Sequence, residues 1–267
     1  MAQQPQLTKR ERKEAARQAR IEREQAAAAA AARKRRLTLI GGVLGAALIV
    51  VIIAIAVSSK GGSHPKNASS GGKLNGVAEM TAMLSGLQQS GNALGNPKAP
   101  VTLNEYADLQ CPFCKEFAQQ TLPLIVRDYV STGKVRLVYK DLAFLGPDSE
   151  KAGAAAAAAG QQSHLWNYNE LQYYNQGTEN TGYVTDQYIN KLYSAIPGLD
   201  IAKANAARKV SPATQSWVVP RQEANQFGIS STPSFTYGTT GGRMMLFQNA
   251  SPTYSDFKKA LDPLLKQ

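Results

Sequence analysis

Residues 101–114 read Val-Thr-Leu-Asn-Glu-Tyr-Ala-Asp-Leu-Gln-Cys-Pro-Phe-Cys, and this stretch decides the fold. Its first six residues are β-branched and apolar enough to predict a buried strand. Pro112 suits the first turn of a helix, which we expect to run on towards Tyr129. Residues 134–139 then alternate between polar and apolar types, which predicts a second strand. Strand, helix and strand in this order predict a parallel pair with a right-handed crossover.

Cys111 and Cys114 are the only cysteines of the chain, and they flank two residues at the expected start of that helix. A C-x-x-C pair lets two sulfurs close a small ring. The unpaired backbone N–H groups of a helix N-terminus stabilise the thiolate that attacks a substrate disulfide. The spacing therefore indicates thiol–disulfide redox chemistry. We expect Cys111 to be the exposed, reacting sulfur and Cys114 to resolve the mixed disulfide.

Two other readings of the cysteine pair stay open at this point. A structural zinc site needs four ligands. The chain has no second C-x-x-C, and its only histidines, His64 and His164, lie on opposite sides of the motif. A purely structural disulfide is the other alternative, but a two-residue spacer removes little entropy from the unfolded chain. Both readings are weaker than redox chemistry, and we expect no metal.

The N-terminal part of the chain has the pattern of a membrane anchor. Residues 1–36 hold eleven Lys or Arg and four Glu, a net +7, and residues 37–57 carry no charge over 21 positions. That length predicts a transmembrane helix rather than the shorter core of a cleaved signal peptide. The basic residues at positions 33–36 predict that the N-terminus stays in the cytoplasm and that the rest is exported. Residues 58–76 are rich in Gly, Ser, Asn and Lys and predict a flexible linker.

The overall charge of +11 mostly describes the basic tail, because the part after the apolar segment carries only +4. A basic helix could bind nucleic acid or acidic lipid. Its position against the apolar segment favours topology setting and attraction to anionic headgroups, and we expect no nucleic-acid partner.

Residues 77–267 are predicted to form one α/β domain. A long helical stretch at about 148–215, which includes the alanine-rich residues 152–162, predicts a helical subdomain inserted into the core. Residues 234–237 and 244–247, with glycines between them, predict a hairpin, and a helix at 254–266 closes the domain. Residues 91–100 are expected to form a turn-rich lead-in.

Four motifs in this domain together resemble the DsbA-like thiol:disulfide oxidoreductases, and the likeness covers roughly residues 92–267. The motifs are Ala99-Pro100-Val101, Glu105-Tyr106-Ala107-Asp108, Cys111-Pro112-Phe113-Cys114 and Gly228-Ile229-Ser230-Ser231-Thr232-Pro233-Ser234-Phe235. The resemblance implies a thioredoxin-like α/β fold with an inserted helical subdomain, here preceded by a single transmembrane helix. It implies no bound cofactor.

The resemblance also implies roles for further residues. Thr232 and Pro233 would form a cis-proline loop that faces the cysteines and, with Pro112 and Phe113, binds an extended substrate segment. Glu105 would lie beneath the motif and carry protons for Cys114. The alternative for Glu105 is a strand residue that faces solvent or pairs with a lysine. Asp108 matches the family as well, although exposure in the turn is an equal alternative.

These patterns together predict a membrane-tethered, single-pass, extracytoplasmic enzyme that introduces disulfides into exported, unfolded proteins through Cys111 and Cys114. The family implies reoxidation by a membrane partner that hands electrons to quinone. Two alternatives remain: a disulfide reductase or isomerase on the same fold, and a non-catalytic peptide-binding chaperone or scaffold.

Overall fold

The computed structural model describes residues 73–249 and 252–266, and in them it shows a six-stranded sheet with helices on both faces. The strands, in chain order, are β1 (Gln89–Ser90), β2 (Ala93–Leu94), β3 (Val101–Ala107), β4 (Val135–Asp141), β5 (Ser234–Thr239) and β6 (Met245–Leu246). The helices are α1 (Val77–Leu84), α2 (Pro112–Gln120), α3 (Leu122–Ile125), α4 (Pro147–Gly160), α5 (Leu165–Tyr174), α6 (Asp186–Ser194), α7 (Ile201–Ala207), α8 (Val218–Gln226) and α9 (Tyr254–Leu261). The spatial order of the strands is β1-β2-β4-β3-β5-β6.

Strand β3 lies at the centre of the sheet, as its nearly continuous burial requires. It pairs in parallel with β4, from Val101 opposite Val135 to Ala107 opposite Asp141, which confirms the predicted parallel pair. It pairs antiparallel with β5, so that Tyr106 lies opposite Ser234. The ends of β3 and β4 and the start of β5 therefore meet at one edge of the sheet.

The helix predicted from Pro112 spans the expected length in three short pieces. Helix α2 ends at Gln120, α3 follows directly, and a π-helical turn at Val126–Val130 completes the segment. Pro123 has no backbone N–H to donate to the preceding turn, which accounts for the break near Thr121. Because the pieces follow one another without a loop, the crossover from β3 to β4 stays compact.

The predicted helical insertion is confirmed, since helices α4 to α8 all lie between β4 and β5. They run on to Gln226, so the helical part extends past the expected end near residue 215. Helix α4 packs closely on β4 because its small residues leave room. A Cβ atom on Gly153 would lie 2.1 Å from Oδ2 of Asp141, so this contact needs glycine.

Two aromatic groups fill the core. Phe257 of α9 lies within 4.9–5.8 Å, centroid to centroid, of Phe117, Phe235 and Phe247. Within the insertion, Trp166 of α5 meets Tyr139 of β4 edge to face at 6.0 Å. The first group fastens the C-terminal helix and α2 to the sheet, and the second fastens the insertion to it.

Residues 91–100, expected as a turn-rich lead-in, contain part of a small hairpin. Gly91, with φ of 58°, turns the chain between β1 and β2, and Ala93 pairs antiparallel with Val138 of β4. Two-residue strands are too short to show an alternating pattern, which is why the sequence did not reveal them. The hairpin predicted from residues 234–237 and 244–247 is confirmed, because β5 and β6 pair antiparallel.

The predicted basic tail (1–36), the transmembrane helix (37–57) and most of the linker (58–76) lie outside the described residues. Among residues 73–249 and 252–266, no helix has the length and apolar character needed to cross a membrane. The chain contacts the folded domain from Leu74 onward. Asn75 donates its N–H to Oδ1 of Asn175 and accepts from Nδ2 of the same side chain, both at 3.0 Å.

We expect Phe257→Ala to lower the free energy of unfolding by about 3–5 kcal/mol, because it removes a fully buried ring that contacts three others. Phe113→Ala is the matched control, since this ring is exposed and its loss should change stability by about 0.5 kcal/mol or less. Thermal unfolding of the full chain, followed by circular dichroism, measures both. Equal losses in the two variants would contradict the packing described.

Candidate active site

The cysteine motif lies at the sheet edge where β3 and β4 end and β5 begins. Cys111 is the N-cap residue of α2, with an extended backbone, and Cys114 lies in the first turn of that helix. The peptide bond between Thr232 and Pro233 is cis, and this loop lies beside the motif. The Cys111 thiol donates to the carbonyl oxygen of Thr232, with a sulfur–oxygen distance of 3.3 Å. Residues 121 positions apart in the chain are thus brought into contact.

The motif is less exposed than its sequence suggested. Both cysteines are free thiols, and Cys111 has only 4 % of its surface accessible, whereas Cys114 has none. Cys111 is the more accessible of the two, as expected, but only slightly, because the Thr232–Pro233 loop covers one side of the residue. The exposed neighbours are Phe113, at 62 %, and Phe144 in the loop after β4, at 44 %.

The two cysteines differ strongly in acidity. The pKa of Cys111 is lowered to about 6, chiefly because the Cys114 thiol donates to its thiolate. The side chain of Thr232 and the backbone N–H groups of Cys114 and Phe113 act in the same direction, while partial burial opposes them. The pKa of Cys114 is raised well above its ordinary value by burial and by the nearby charge of Cys111. At neutral pH the pair therefore carries one thiolate, on Cys111.

Glu105 is buried beneath the motif, with 1 % of its surface accessible, so the alternative of a solvent-facing strand residue is wrong. It lies opposite Tyr139 on one side and Phe235 on the other. Burial raises the pKa of Glu105 to about 8, and its charge in turn raises the pKa of Cys114. Glu170 of α5 is equally buried, and its pKa is raised well above normal by burial and by the charge of Glu105. Glu105 is therefore predominantly protonated at neutral pH.

Asp108, at the end of β3, organises the loops around the motif. It is fully buried, so the expectation of exposure in the turn does not hold. Its carboxylate accepts from the backbone N–H of Gln110 at 2.8 Å, the hydroxyl of Ser149 at 2.7 Å and the backbone N–H of Leu145 at 3.0 Å. The carboxylate therefore joins the motif, the loop after β4 and the first turn of α4. Among residues 73–249 and 252–266, no three His, Cys, Asp or Glu side chains group as a metal site.

Sequence reasoning missed two further residues that hold the site. Gln176, just after α5, donates through Nε2 to the carbonyl oxygens of Leu109 at 3.1 Å and Cys111 at 3.2 Å. Arg221 of α8 donates to the carbonyl oxygens of Leu142 and Ala143, each at 2.5 Å. Both act on backbone atoms more than 60 positions away, and no local pattern signals such contacts.

The acidity of Cys111 gives a direct prediction for the reduced full chain. Alkylation of Cys111 by iodoacetamide, located by mass spectrometry, should rise with a midpoint at pH about 6, while Cys114 reacts only at much higher pH. Cys114→Ala should move the Cys111 midpoint upward, because it removes the largest cause of the lowered pKa. A wild-type midpoint at the ordinary thiol value of about 8.5 would contradict the geometry.

The buried carboxyl of Glu105 gives a second prediction. Because folding raises its pKa from 4.5 to about 8, its contribution to stability is complete below pH 4.5 and falls as the pH rises to about 8. Glu105→Gln should therefore match the wild type near pH 4 and be more stable by a few kcal/mol at pH 8. Urea unfolding at both pH values tests this. The control Glu150→Gln, at a half-exposed side chain, should show no such pH-dependent gain.

Comparison with known proteins agrees with this geometry. A family model described as thioredoxin matches residues 88–263. The probable disulfide bond formation protein D of Bacillus anthracis is 25 % identical over 178 residues, which is 66 % of this chain and 78 % of that protein. Disulfide bond formation protein D of Bacillus subtilis is 30 % identical over 125 residues, which is 45 % of this chain and 50 % of that protein.

The fold itself matches solved structures. Oxidised BdbD from Bacillus subtilis superposes with a TM-score of 0.59 and 21 % identity, over 67 % of this chain and 97 % of that one. The family match and this superposition confirm the predicted thioredoxin-like α/β fold with a helical insertion, whereas the predicted transmembrane helix lies outside the described residues. The chain therefore belongs to the thioredoxin family and is a thiol:disulfide oxidoreductase, similar to the disulfide bond formation proteins of Bacillus.

Proposed function

We propose that the enzyme introduces disulfides into exported proteins by passing on a disulfide between Cys111 and Cys114. The observation that carries this proposal is the difference between the two thiols at the start of α2. The reduced enzyme holds a stabilised thiolate on Cys111, with a pKa of about 6. Whatever stabilises the reduced form makes the oxidised form a stronger oxidant. The enzyme should therefore give its disulfide away readily.

The exchange proceeds in two balanced steps. A substrate thiolate attacks Sγ of Cys111, which forms a substrate–Cys111 disulfide and breaks the Cys111–Cys114 bond. The electron pair of that bond leaves on the sulfur of Cys114. A second substrate thiolate then attacks the substrate sulfur of the mixed disulfide and expels Cys111 as a thiolate. The substrate is oxidised by two electrons and the enzyme is reduced by two. The low pKa of Cys111 makes it a good leaving group in the second step.

Glu105 supplies the proton that the first step needs. The sulfur expelled from Cys114 is fully buried, and its raised pKa means that it takes up a proton. Glu105 is protonated below about pH 8 and acts on Cys114 electrostatically, so it is the proton donor at hand. When the enzyme is reoxidised, the same carboxylate takes the proton back from Cys114.

Substrate binding is assigned to the rim of the site. Pro233 has no N–H, and the cis-proline loop lies against Cys111, where an extended substrate segment has to pass. Pro112 and Phe113 form the other side, and the exposed rings of Phe113 and Phe144 offer apolar contact to unfolded chains. The carbonyl oxygen of Thr232 accepts from the Cys111 thiol when Cys111 is protonated.

The location and the redox partner are proposed from the sequence. Residues 37–57 would anchor the protein in the membrane with residues 1–36 in the cytoplasm, and residues 58–76 would link the anchor to the extracytoplasmic domain at 77–267. Relatives in Bacillus are named for disulfide bond formation, which supports action on exported proteins. A membrane reoxidase that passes electrons to quinone would restore the disulfide.

We expect the oxidised full chain to restore activity to reduced, unfolded ribonuclease A, and Cys111→Ala to abolish this completely. Cys114→Ala, incubated with a substrate that contains a disulfide, should instead accumulate a mixed disulfide. The Cys111 thiolate displaces one sulfur of the substrate disulfide as a thiolate, and no resolving thiol is left to release the enzyme. Non-reducing electrophoresis separates these outcomes. Equal loss in both variants without any mixed disulfide would contradict the assigned roles.

The direction of transfer is checked on the same preparation by equilibration in glutathione buffers. A reduction potential well above the roughly −270 mV of thioredoxin agrees with disulfide donation. A potential at or below that value would contradict donation and would instead favour a reductase supplied with electrons from the membrane.

A further inference from the structure

The helical insertion reaches the redox motif through the chain that follows α5. Gln176 lies two residues beyond that helix, and its Nε2 atom donates to two carbonyl oxygens at once. The distances are 3.1 Å to Leu109 and 3.2 Å to Cys111, so the side chain spans the backbone on the N-terminal side of the motif. These are ordinary lengths for N–H···O bonds. The contact crosses 65 positions of the sequence to Cys111.

A second pair of hydrogen bonds from the same loop holds Gln110, the residue between Leu109 and Cys111. The backbone N–H of Asn180 donates to Oε1 of Gln110 at 2.8 Å, and Nε2 of Gln110 donates back to Oδ1 of Asn180 at 3.2 Å. Residues 176–180 of the insertion therefore form hydrogen bonds to Leu109, Gln110 and Cys111. The segment that leads into the motif is held by the insertion as well as by the sheet.

The carbonyl group of Cys111 has a special position in α2. As the N-cap carbonyl it accepts the first bond of the helix, from the N–H of Lys115 at 3.1 Å, and Gln176 adds a second donor. The following N–H groups, those of Phe113 and Cys114, are the ones that stabilise the Cys111 thiolate. Fixing the Cys111 carbonyl fixes the first turn of the helix and with it the direction of these donors.

The two hydrogen bonds from Gln176 also change the electrostatic potential at the Cys111 sulfur. Carbonyl oxygens are the negative ends of peptide dipoles, and those of Leu109 and Cys111 lie close to the Cys111 sulfur along the chain. An amide donor on them offsets that negative potential, which favours a negative charge on the sulfur. A group without a donor at position 176 would remove this compensation.

We propose that Gln176 is a positioning residue for thiol–disulfide exchange: by bonding the Leu109 and Cys111 carbonyls, it holds the start of α2 so that the Cys111 thiolate is stabilised. The inference rests on the proposed role of Cys111 as the reacting sulfur. It assigns a part in the chemistry to the insertion, which otherwise serves as packing around the sheet.

Other titratable groups around Cys111 come from each element packed against the motif. They are Cys114 on α2, Glu105 and Asp108 on and after β3, Tyr139 on β4 and Tyr173 on α5. Substitution of Gln176 alters none of them directly. A change in the Cys111 titration after the uncharged substitution Gln176→Met therefore reports the loss of the carboxamide.

Three substitutions in the full chain test the proposal. Gln176→Met keeps the length of the side chain without a donor, Gln176→Glu places an acceptor against the two carbonyls, and Gln176→Lys retains a donor. The matched control is Gln162→Met, because Gln162 forms a similar clamp elsewhere in the insertion, with Asp200, at 3.0 Å for both bonds. The measurement is the pH dependence of Cys111 alkylation by iodoacetamide in the reduced protein, with thermal unfolding of each variant alongside.

We expect the alkylation midpoint to rise in the order Lys, Gln, Met, Glu at position 176. For Gln176→Met a rise of about half a pH unit corresponds to about threefold slower alkylation well below the midpoint. Gln162→Met should keep the wild-type midpoint. Wild-type midpoints in all three Gln176 variants, with or without lower thermal stability, would overturn the proposal.

The outcome is independent of whether the enzyme donates disulfides. Alkylation needs no substrate protein and no redox partner, so a failure of disulfide donation would leave the predicted order in place. Should Gln176→Glu not fold, the comparison of Gln176→Met with the wild type still decides, because neither side chain carries a charge. A Met variant that titrates like the wild type counts against the proposal.

Discussion

The pairing of β3 with a parallel neighbour on one side and an antiparallel neighbour on the other is the constraint on which the site depends. Parallel β4 ends where β3 ends, and antiparallel β5 begins there. The loops after β3 and β4 and the loop before β5 must therefore share one edge. The Cys111 thiol reaches the carbonyl of Thr232 only because of this topology. Asp108 then ties the first two loops together through three hydrogen bonds, so the edge is rigid where the chemistry takes place.

The buried titratable and polar groups near this edge lower the stability of the folded domain. Glu105 and Glu170 are buried with raised pKa values, and an apolar pair of similar size would cost less. Helix α5 adds a buried Asn169 whose amide atoms have no hydrogen-bond partner within the described part of the chain. Such polar groups weaken a core that is otherwise well filled by aromatic rings. Their concentration between β3 and α5 fits the role of proton donor and acceptor that we propose for Glu105.

Local patterns were enough to predict the order of the elements. The strand before Cys111, the helix after it, the parallel second strand and the alanine-rich insertion each show in short windows of sequence, because their periodicity follows from burial on one face. The family motifs added the loop at Thr232 and Pro233, which no window would have linked to Cys111. What could not be predicted depends on distant contacts. Asp108 is buried by the loop after β4 and by α4, and Gln176 and Arg221 bind backbone atoms of loops far away in the chain.

In the proposed mechanism, the difference in exposure between Cys111 and Cys114 determines which sulfur reacts. An incoming thiolate could break a disulfide between Cys111 and Cys114 by attacking either sulfur. Only attack on Cys111 leaves that residue, whose thiolate is the stabilised one, bonded to the substrate. Cys114 has no accessible surface, so an incoming thiolate meets Cys111 alone. The exposed ring of Phe113 borders the small opening that remains. Apolar residues of the unfolded chain that carries the attacking thiolate can pack against this ring. In the proposed exchange, burial thus selects the attacked sulfur before acidity acts, and the low pKa of Cys111 then favours release of the mixed disulfide.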